Sequence, residues 1–231
     1  ALFSNTTGSY NTAFGLNALY STTTGSENAT FGKWAMEDNI SGASNAAFGN
    51  SALRHNTASY NSAVGKDALR YNTTGADNTA SGYQALKANT TGDENTAIGT
   101  YALAANTTAS MATAVGFQAL YTNTVYSQHT ALGYKALYTN GGGYYNTAVG
   151  HEAMYSNTDG INNVAVGHQA LYANTTGDKN VASGYHSLKA NTTGNFNTAI
   201  GYRALNYNIT ADRNVGIGYQ ALALNTIGSR N

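Results

Sequence analysis

A repeat of seventeen residues is the feature that most constrains this chain. A glycine closing an Ala-apolar-Gly triplet, or a variant of it, falls at Gly15, Gly32, Gly49, Gly65, Gly82, Gly99, Gly116, Gly133, Gly150, Gly167, Gly184, Gly201 and Gly218. Every interval is 17 residues except that from Gly49 to Gly65, which is 16. The consensus unit is N-T-A-[I/V/F]-G-Y-x-A-L-x-x-N-T-T-G-x-x. Counted from its Asn, the marker glycine stands at slot five. A fixed short period means that each unit buries its apolar side chains by stacking on its neighbours. The register fills all 231 residues: a partial unit over 1–10, thirteen units over 11–230, and the start of a further unit at Asn231. It leaves no room for a separate domain, so a single repeat array over 1–231 is expected. Both ends cut a unit in mid-course, which suits a piece of a longer fibre.

The slots differ sharply in what they tolerate. Slot five is always Gly, slot three is Ala except at Thr30 and Gly216, and slot eight is Ala except at Ser187. Small residues held this strictly mark places where another backbone comes too close for a larger side chain. Slot nine is Leu except for Met36 and Met154, an exchange of similar volume that a packed core accepts. Slot four is aliphatic or Phe except at Ser81 and Ser183, and with slot nine it is expected to form the large buried pair. Slot twelve is Asn except at Thr22, and slot one is Asn in eleven of thirteen units. Stacked Asn columns can bond the backbone of adjacent rungs. Gly at slot fifteen suits a turn that needs positive φ. The short unit lacks it, reading His55-Asn56-Thr57-Ala58-Ser59-Tyr60, and an altered turn or kink is expected there.

Slots one to six alternate and carry β-branched residues, which reads as a short strand. Slots six to eleven, as in Tyr83-Gln84-Ala85-Leu86-Lys87-Ala88, would suit either a tight turn or one turn of α- or 3₁₀-helix. The fold class expected is therefore all-β, an elongated solenoid of 17-residue units. Two large side chains per unit contribute about 1.5–3 kcal/mol each on burial. Ordering the backbone costs about 1–2 kcal/mol per residue. So thin a core, with Ala and Gly columns that permit close approach, favours a parallel or intertwined homotrimer.

Composition narrows the function classes. Eleven Lys+Arg balance eleven Asp+Glu, which argues against a binder of nucleic acid or of a membrane surface, both of which need a cationic face. The apolar runs are far too short to span a bilayer. Without Cys there are no disulfides and no thiolate metal sites, and without Pro the turns rest on Asn, Thr and Gly. The register never opens for a catalytic insertion, so no enzymatic activity and no cofactor are expected.

The units Asn95-Thr-Ala-Ile-Gly, Asn197-Thr-Ala-Ile-Gly-Tyr-Arg-Ala-Leu and Gly218-Tyr-Gln-Ala-Leu resemble repeats of bacteriophage and prophage-like tail fibres, over essentially the whole chain. More distantly, they are similar to the head repeats of trimeric autotransporter adhesins, whose unit is shorter. The resemblance implies a trimeric, β-rich fibre, virion-borne or extracellular, that positions a tip binding a host or surface. It brings no catalytic residues.

Few residues suggest chemistry. Of the histidines, His151 and His168 share a slot in adjacent units, so three chains would stack them as rings of imidazoles able to hold a metal or anion. An outward polar residue is the plainer reading. Ser81 and Ser183 are weaker candidates for a water or ion near an axis. Asp77, Asp93, Glu94 and Asp178 lie in turns and form no acid-base pair, Gly141-Gly142-Gly143 lacks the context of a phosphate loop, and the Asn-Thr-Thr sequons follow from the consensus. Thr at slots thirteen and fourteen points to opposite faces, which argues against an ice-binding plane. Aromatic rows are more suggestive. Tyr121, Tyr138, Tyr155 and Tyr172 share slot ten, and Tyr185, Tyr202 and Tyr219 share slot six. Such rows would either stabilise the stack or offer strips for a cell-surface glycan or protein receptor.

Overall fold

The computed structural model describes residues 1–231 and is all-β, with no helix. The chain divides into two compact units, Ala1–Ala112 and Thr113–Asn231. The first contains strands β1 (Thr12–Phe14), β2 (Ala29–Phe31), β3 (Ala46–Phe48), β4 (Ser62–Val64), β5 (Thr79–Ser81) and β6 (Thr96–Ile98). The second contains β7 (Thr113–Val115), β8 (Thr130–Leu132), β9 (Thr147–Val149), β10 (Val164–Val166), β11 (Val181–Ser183), β12 (Thr198–Ile200) and β13 (Val215–Ile217). Within each unit, successive strands pair parallel and in register, as in Ala148 with Ala165 and Ala182. Each is a parallel β-solenoid of 17-residue turns, as the period predicts.

Every strand occupies slots two to four. The middle residue faces inward and its two neighbours face out, because successive side chains of a strand take opposite faces. Ala63, Ala97, Ala148 and Ala165 are fully buried at slot three, as are Leu69, Leu103 and Leu171 at slot nine and Ala68, Ala102 and Ala170 at slot eight. At Gly216, which holds slot three, an added Cβ would lie 3.1 Å from Leu205 Cγ, so the slot-nine side chain of one turn fills the space that slot three of the next turn faces. Nothing much larger than Ala fits there.

This geometry corrects the expected role of slot four. Phe14 is 65% exposed, Val64 50%, Ile98 43% and Ile200 42%, so the column lies on the outer face of the sheet and not in the core. Ser81 and Ser183 occupy that same outer column. The buried pair is instead Leu at slot nine against Ala at slots three and eight.

No helical turn occurs at slots six to eleven. Slots seven and nine take positive φ, as at Gln84 (56°), Leu86 (51°), Gln169 (50°) and Leu171 (53°), which no right-handed helix allows. Alternating backbone hands send alternate amides up and down the stack: Gln84 N–H donates to Lys66 O on one neighbouring rung, and Leu86 N–H donates to Ala102 O on the other. Non-glycine residues in the left-handed region cost about 1–2 kcal/mol each. Burial of the slot-nine Leu and the two-way hydrogen bonding offset that cost.

The small-residue columns also act within the chain and not toward another one. Slot-five glycines take φ between +120° and +149°, and a Cβ on Gly167 would sit 2.6 Å from Gly184 O of the next rung. Slot-fifteen glycines, expected at positive φ, do not take it. They lie instead against the next rung's carbonyl, a Cβ on Gly177 meeting Gly194 O at 2.5 Å. Ala58, Ala109 and Ala211 hold that place in three rungs, so the strict demand for glycine is at the end of the strand.

The Asn columns do what stacked amides are expected to do. In the second unit Asn163 N–H donates to Asn146 Oδ1 (2.9 Å), and Asn180 N–H to Asn163 Oδ1 (2.9 Å). Asn163 Nδ2 donates to Gly177 O (2.8 Å), which also accepts from Asn174 Nδ2 (2.9 Å). Asn174 Nδ2 in turn donates to Asn157 Oδ1 (2.8 Å). Two buried amide ladders thus meet at one slot-fifteen carbonyl after another, as at Gly160, Gly177, Gly194 and Ala211. The short unit keeps this arrangement: Asn56 Nδ2 reaches Ala58 O (2.8 Å) two residues on instead of three, and β3 and β4 stay in register. The missing residue alters only the turn.

Candidate functional site

The outer surface of the second unit carries two ring ladders, and both arise from the in-register stack. Side chains in one slot of consecutive turns are set one strand spacing apart, about 4.8 Å, which is close to the separation of stacked rings. At slot ten, Tyr121, Tyr138, Tyr155 and Tyr172 stack with centroids 5.4, 5.0 and 5.3 Å apart and planes within 12° of parallel. All four are half-buried.

At slot six the row of three tyrosines is part of a longer ladder. It runs Phe117, Tyr134, His151, His168, Tyr185, Tyr202 and Tyr219, with every neighbouring pair stacked at 4.8–5.5 Å. His151 and His168 are the middle rings, 5.0 Å apart and 8° from parallel. Face-to-face packing turns their nitrogens toward the ladder's edges, and His151 Nδ1 lies 3.8 Å from Glu152 Oε2. No group of three His, Cys, Asp or Glu side chains in the chain is placed to hold a metal.

Two features escape a reading of composition and motifs, although aligning the units reveals the first. The first is His129, one of two residues that replace Asn at slot one. It is buried in the amide ladder, where its Nδ1 accepts the Asn146 N–H at 3.3 Å and its Nε2 lies 3.0 Å from Asn140 Nδ2. That bond leaves the imidazole proton on Nε2, whose acceptor is the Gly143 backbone and not the Asn140 amide nitrogen, itself a donor, so the ring reproduces the acceptor and donor of an Asn amide. Burial drives the His129 pKa down to about 4, against the raising pull of the Gly143 and Asn146 backbone.

The consequence is a pH-dependent stability. Between about pH 6.5 and 4 the unfolded chain binds a proton that the folded chain refuses. The contribution is therefore whole above about 6.5 and is lost as pH falls toward 4, by up to roughly 3 kcal/mol. His129→Asn should remove this slope. Urea-unfolding midpoints of wild type and variant, compared from pH 7 to 4.5, should converge or cross toward acid; parallel curves would show that His129 does not titrate in this way.

The second feature lies at slots seven, ten and eleven of three consecutive turns. His186 and Arg203 are successive slot-seven residues, and Lys189 at slot ten stands beside them. Together with Tyr172, Asn206 and Tyr207 they line a pocket of about 400 Å³. Arg203 Cζ lies 5.3 Å from the Tyr202 ring centre, and Lys189 Nζ lies 5.9 Å from that of Tyr172. No protein-family model, curated protein or solved structure matches the chain.

Proposed function

We propose that the chain is a structural shaft segment of a homotrimeric fibre, tail-fibre-like or adhesin-like, which is virion-borne or extracellular and holds a host- or surface-binding tip. The observation that carries this reading is the outward apolar column. In the second unit it runs Val115, Leu132, Val149, Val166, Ser183, Ile200 and Ile217, with no charge along it. Three-residue strands held in register make it straight and regular. A stripe of exposed aliphatic side chains on one sheet face is the kind of surface that copies of a chain cover in one another. The stripe takes over the part in assembly that the Ala and Gly columns, occupied within the chain, do not play. Such a shaft has no catalytic role.

Sedimentation equilibrium tests the proposal: the mass should be three times the 24.0 kDa of one chain. Replacing Val149, Val166 and Ile200 by Lys should reduce it to a single chain, because three like charges per copy would then face one another across a desolvated surface. A wild-type mass of 24.0 kDa would remove the trimer from the proposal.

The ring ladders support a second reading, a glycan-binding module. Stacked tyrosines cover one another's faces and present a strip of ring edges and hydroxyls, which suits the hydroxyl groups of a saccharide laid along it. Loss of glycan binding in Tyr138→Ala/Tyr155→Ala would support this reading, and a broad glycan array without binding would end it.

A further inference from the structure

We infer that the pocket at His186, Lys189 and Arg203 is the anion-recognising end of a saccharide site, and that it takes an acidic oligosaccharide whose carboxylate or sulfate enters the pocket while its neighbouring sugars lie along the exposed tyrosine edges of slot ten. The inference rests on the glycan-binding reading and adds the class of sugar. Three observations carry it.

The first is uncompensated positive charge. None of the chain's ion pairs includes Lys189 or Arg203. The nearest acidic residue in the slot-seven column, Glu152, stands two turns before His186 and is already engaged by Gln169 Nε2 at 2.8 Å and by His151. A chain of zero net charge has thus left cations together where the stack could have placed acids among them.

The second is polar capacity that the protein does not use. Arg203 Nε, His186 Nε2 and Asn206 Oδ1 are shielded from solvent and have no hydrogen-bond partner. Buried polar atoms are ordinarily satisfied, and a lone guanidinium N–H within a pocket is suited to an oxyanion, which its planar fork binds through two parallel bonds. Asn206 can present its carbonyl to a sugar hydroxyl or, after a half-turn of its amide, an N–H to the anion. Burial, and then the charges of Lys189, His168 and Arg203, hold the His186 pKa at about 4, so at neutral pH its ring is an uncharged hydrogen-bonding group beside the two cations.

The third is continuity with the ladder. Tyr172 is both the last ring of Tyr121–Tyr138–Tyr155–Tyr172 and a wall of the pocket, and Lys189 Nζ lies above its ring. A strip spaced at 5.0–5.4 Å therefore ends at a point of positive charge. One ligand fits both parts: a short acidic saccharide, with its hydroxyls along the tyrosine edges and its charged group against Arg203 and Lys189.

Calorimetric titration at low ionic strength tests this with four probes: trigalacturonate as the carboxylated sugar, a heparin-derived tetrasaccharide as the sulfated one, maltotriose as the neutral control and inorganic sulfate as the bare anion. Wild type should bind at least one of the two acidic sugars tenfold or more tighter than maltotriose and than sulfate. Lys189→Gln/Arg203→Gln should lose that preference yet keep whatever affinity wild type has for maltotriose, while Tyr138→Ala/Tyr155→Ala should weaken every sugar alike. Binding of the acidic sugar should also move the His186 imidazole signals in NMR, and by much less in the double Gln variant.

Equal binding of acidic and neutral sugars, or a preference unchanged in the double Gln variant, would overturn the inference and leave the glycan reading standing. Inorganic sulfate bound as tightly as the better of the two acidic sugars would also overturn it, since the tyrosines would then contribute nothing. Binding of no sugar at all would end both.

Discussion

Gly167→Ala should cost the second unit roughly 3–5 kcal/mol. Gly167 has φ +132°, a region that L side chains rarely adopt, and forcing Ala into such a conformation costs about 1–3 kcal/mol. The added methyl would also stand 2.6 Å from Gly184 O and 2.8 Å from its carbon. Relieving that overlap means separating two rungs or bending the strand end, which adds about 1–3 kcal/mol as in other overpacked sites. Gly177→Ala is the informative companion. It occupies slot fifteen, where the backbone is not left-handed and Ala58, Ala109 and Ala211 already occur, so only the overlap with Gly194 O and Asn174 Oδ1 remains and its cost should be about 1–3 kcal/mol. Urea-unfolding free energies of the two variants decide the matter. Equal losses would mean that the slot-five glycine is not the stricter requirement.

The second large effect is expected at the amide ladder. Asn163→Leu keeps the branched heavy-atom shape and removes the acceptor for Asn180 N–H and the donor to Gly177 O. Gly177 O retains Asn174, but the Asn180 amide is left buried without a partner. Unsatisfied buried groups cost about 1–3 kcal/mol each, so a loss of roughly 2–4 kcal/mol is expected. His129 shows what can stand in. Asn163→His should retain most of the stability at pH 7 and lose it in acid, because its Nδ1 would accept the next rung's amide only while unprotonated. Thermal denaturation at pH 7 and pH 5 distinguishes these outcomes. A His variant as damaging as Leu at pH 7 would show that ring shape, not hydrogen-bonding capacity, governs the slot.

These two sites also mark how far the sequence can be read. The Asn columns were legible as ladders because their chemistry is local: an amide carries one donor group and one acceptor, and a stack repeats both at each rung. Glycine at slot five was legible as a steric demand, but its partner was not. The same scarcity of Cβ atoms would accommodate a second chain or the next turn of the same chain, and only the 2.6 Å approach of Gly184 O to the Cβ site of Gly167 distinguishes them. At slot fifteen the usual association of glycine with positive φ misleads, since the pressure there comes from an adjacent carbonyl and an Asn side chain.

The candidate site was visible only in part. Tyr121, Tyr138, Tyr155 and Tyr172 stack as their shared slot predicts, and His151 and His168 prove to be the centre of a seven-ring row. The cation pocket was not visible, because its residues come from slots seven, ten and eleven, whose types vary from unit to unit. Neighbourhood across three rungs, and not any motif, brings His186, Lys189 and Arg203 together.

The sequence by itself determined the period, the parallel in-register stack, the slot-nine Leu column and the amide ladders. Each follows from a residue type recurring at one interval, and stacking turns that interval directly into contact. Which apolar side chain of the strand faces inward was decided only by the tertiary structure. Ala at slot three and Ile or Val at slot four are adjacent and both apolar, so periodicity accepts either facing. The interior is already filled by the slot-nine Leu of neighbouring turns and has room for a methyl group alone. The larger residue is therefore turned outward, onto the face proposed to hold the copies together.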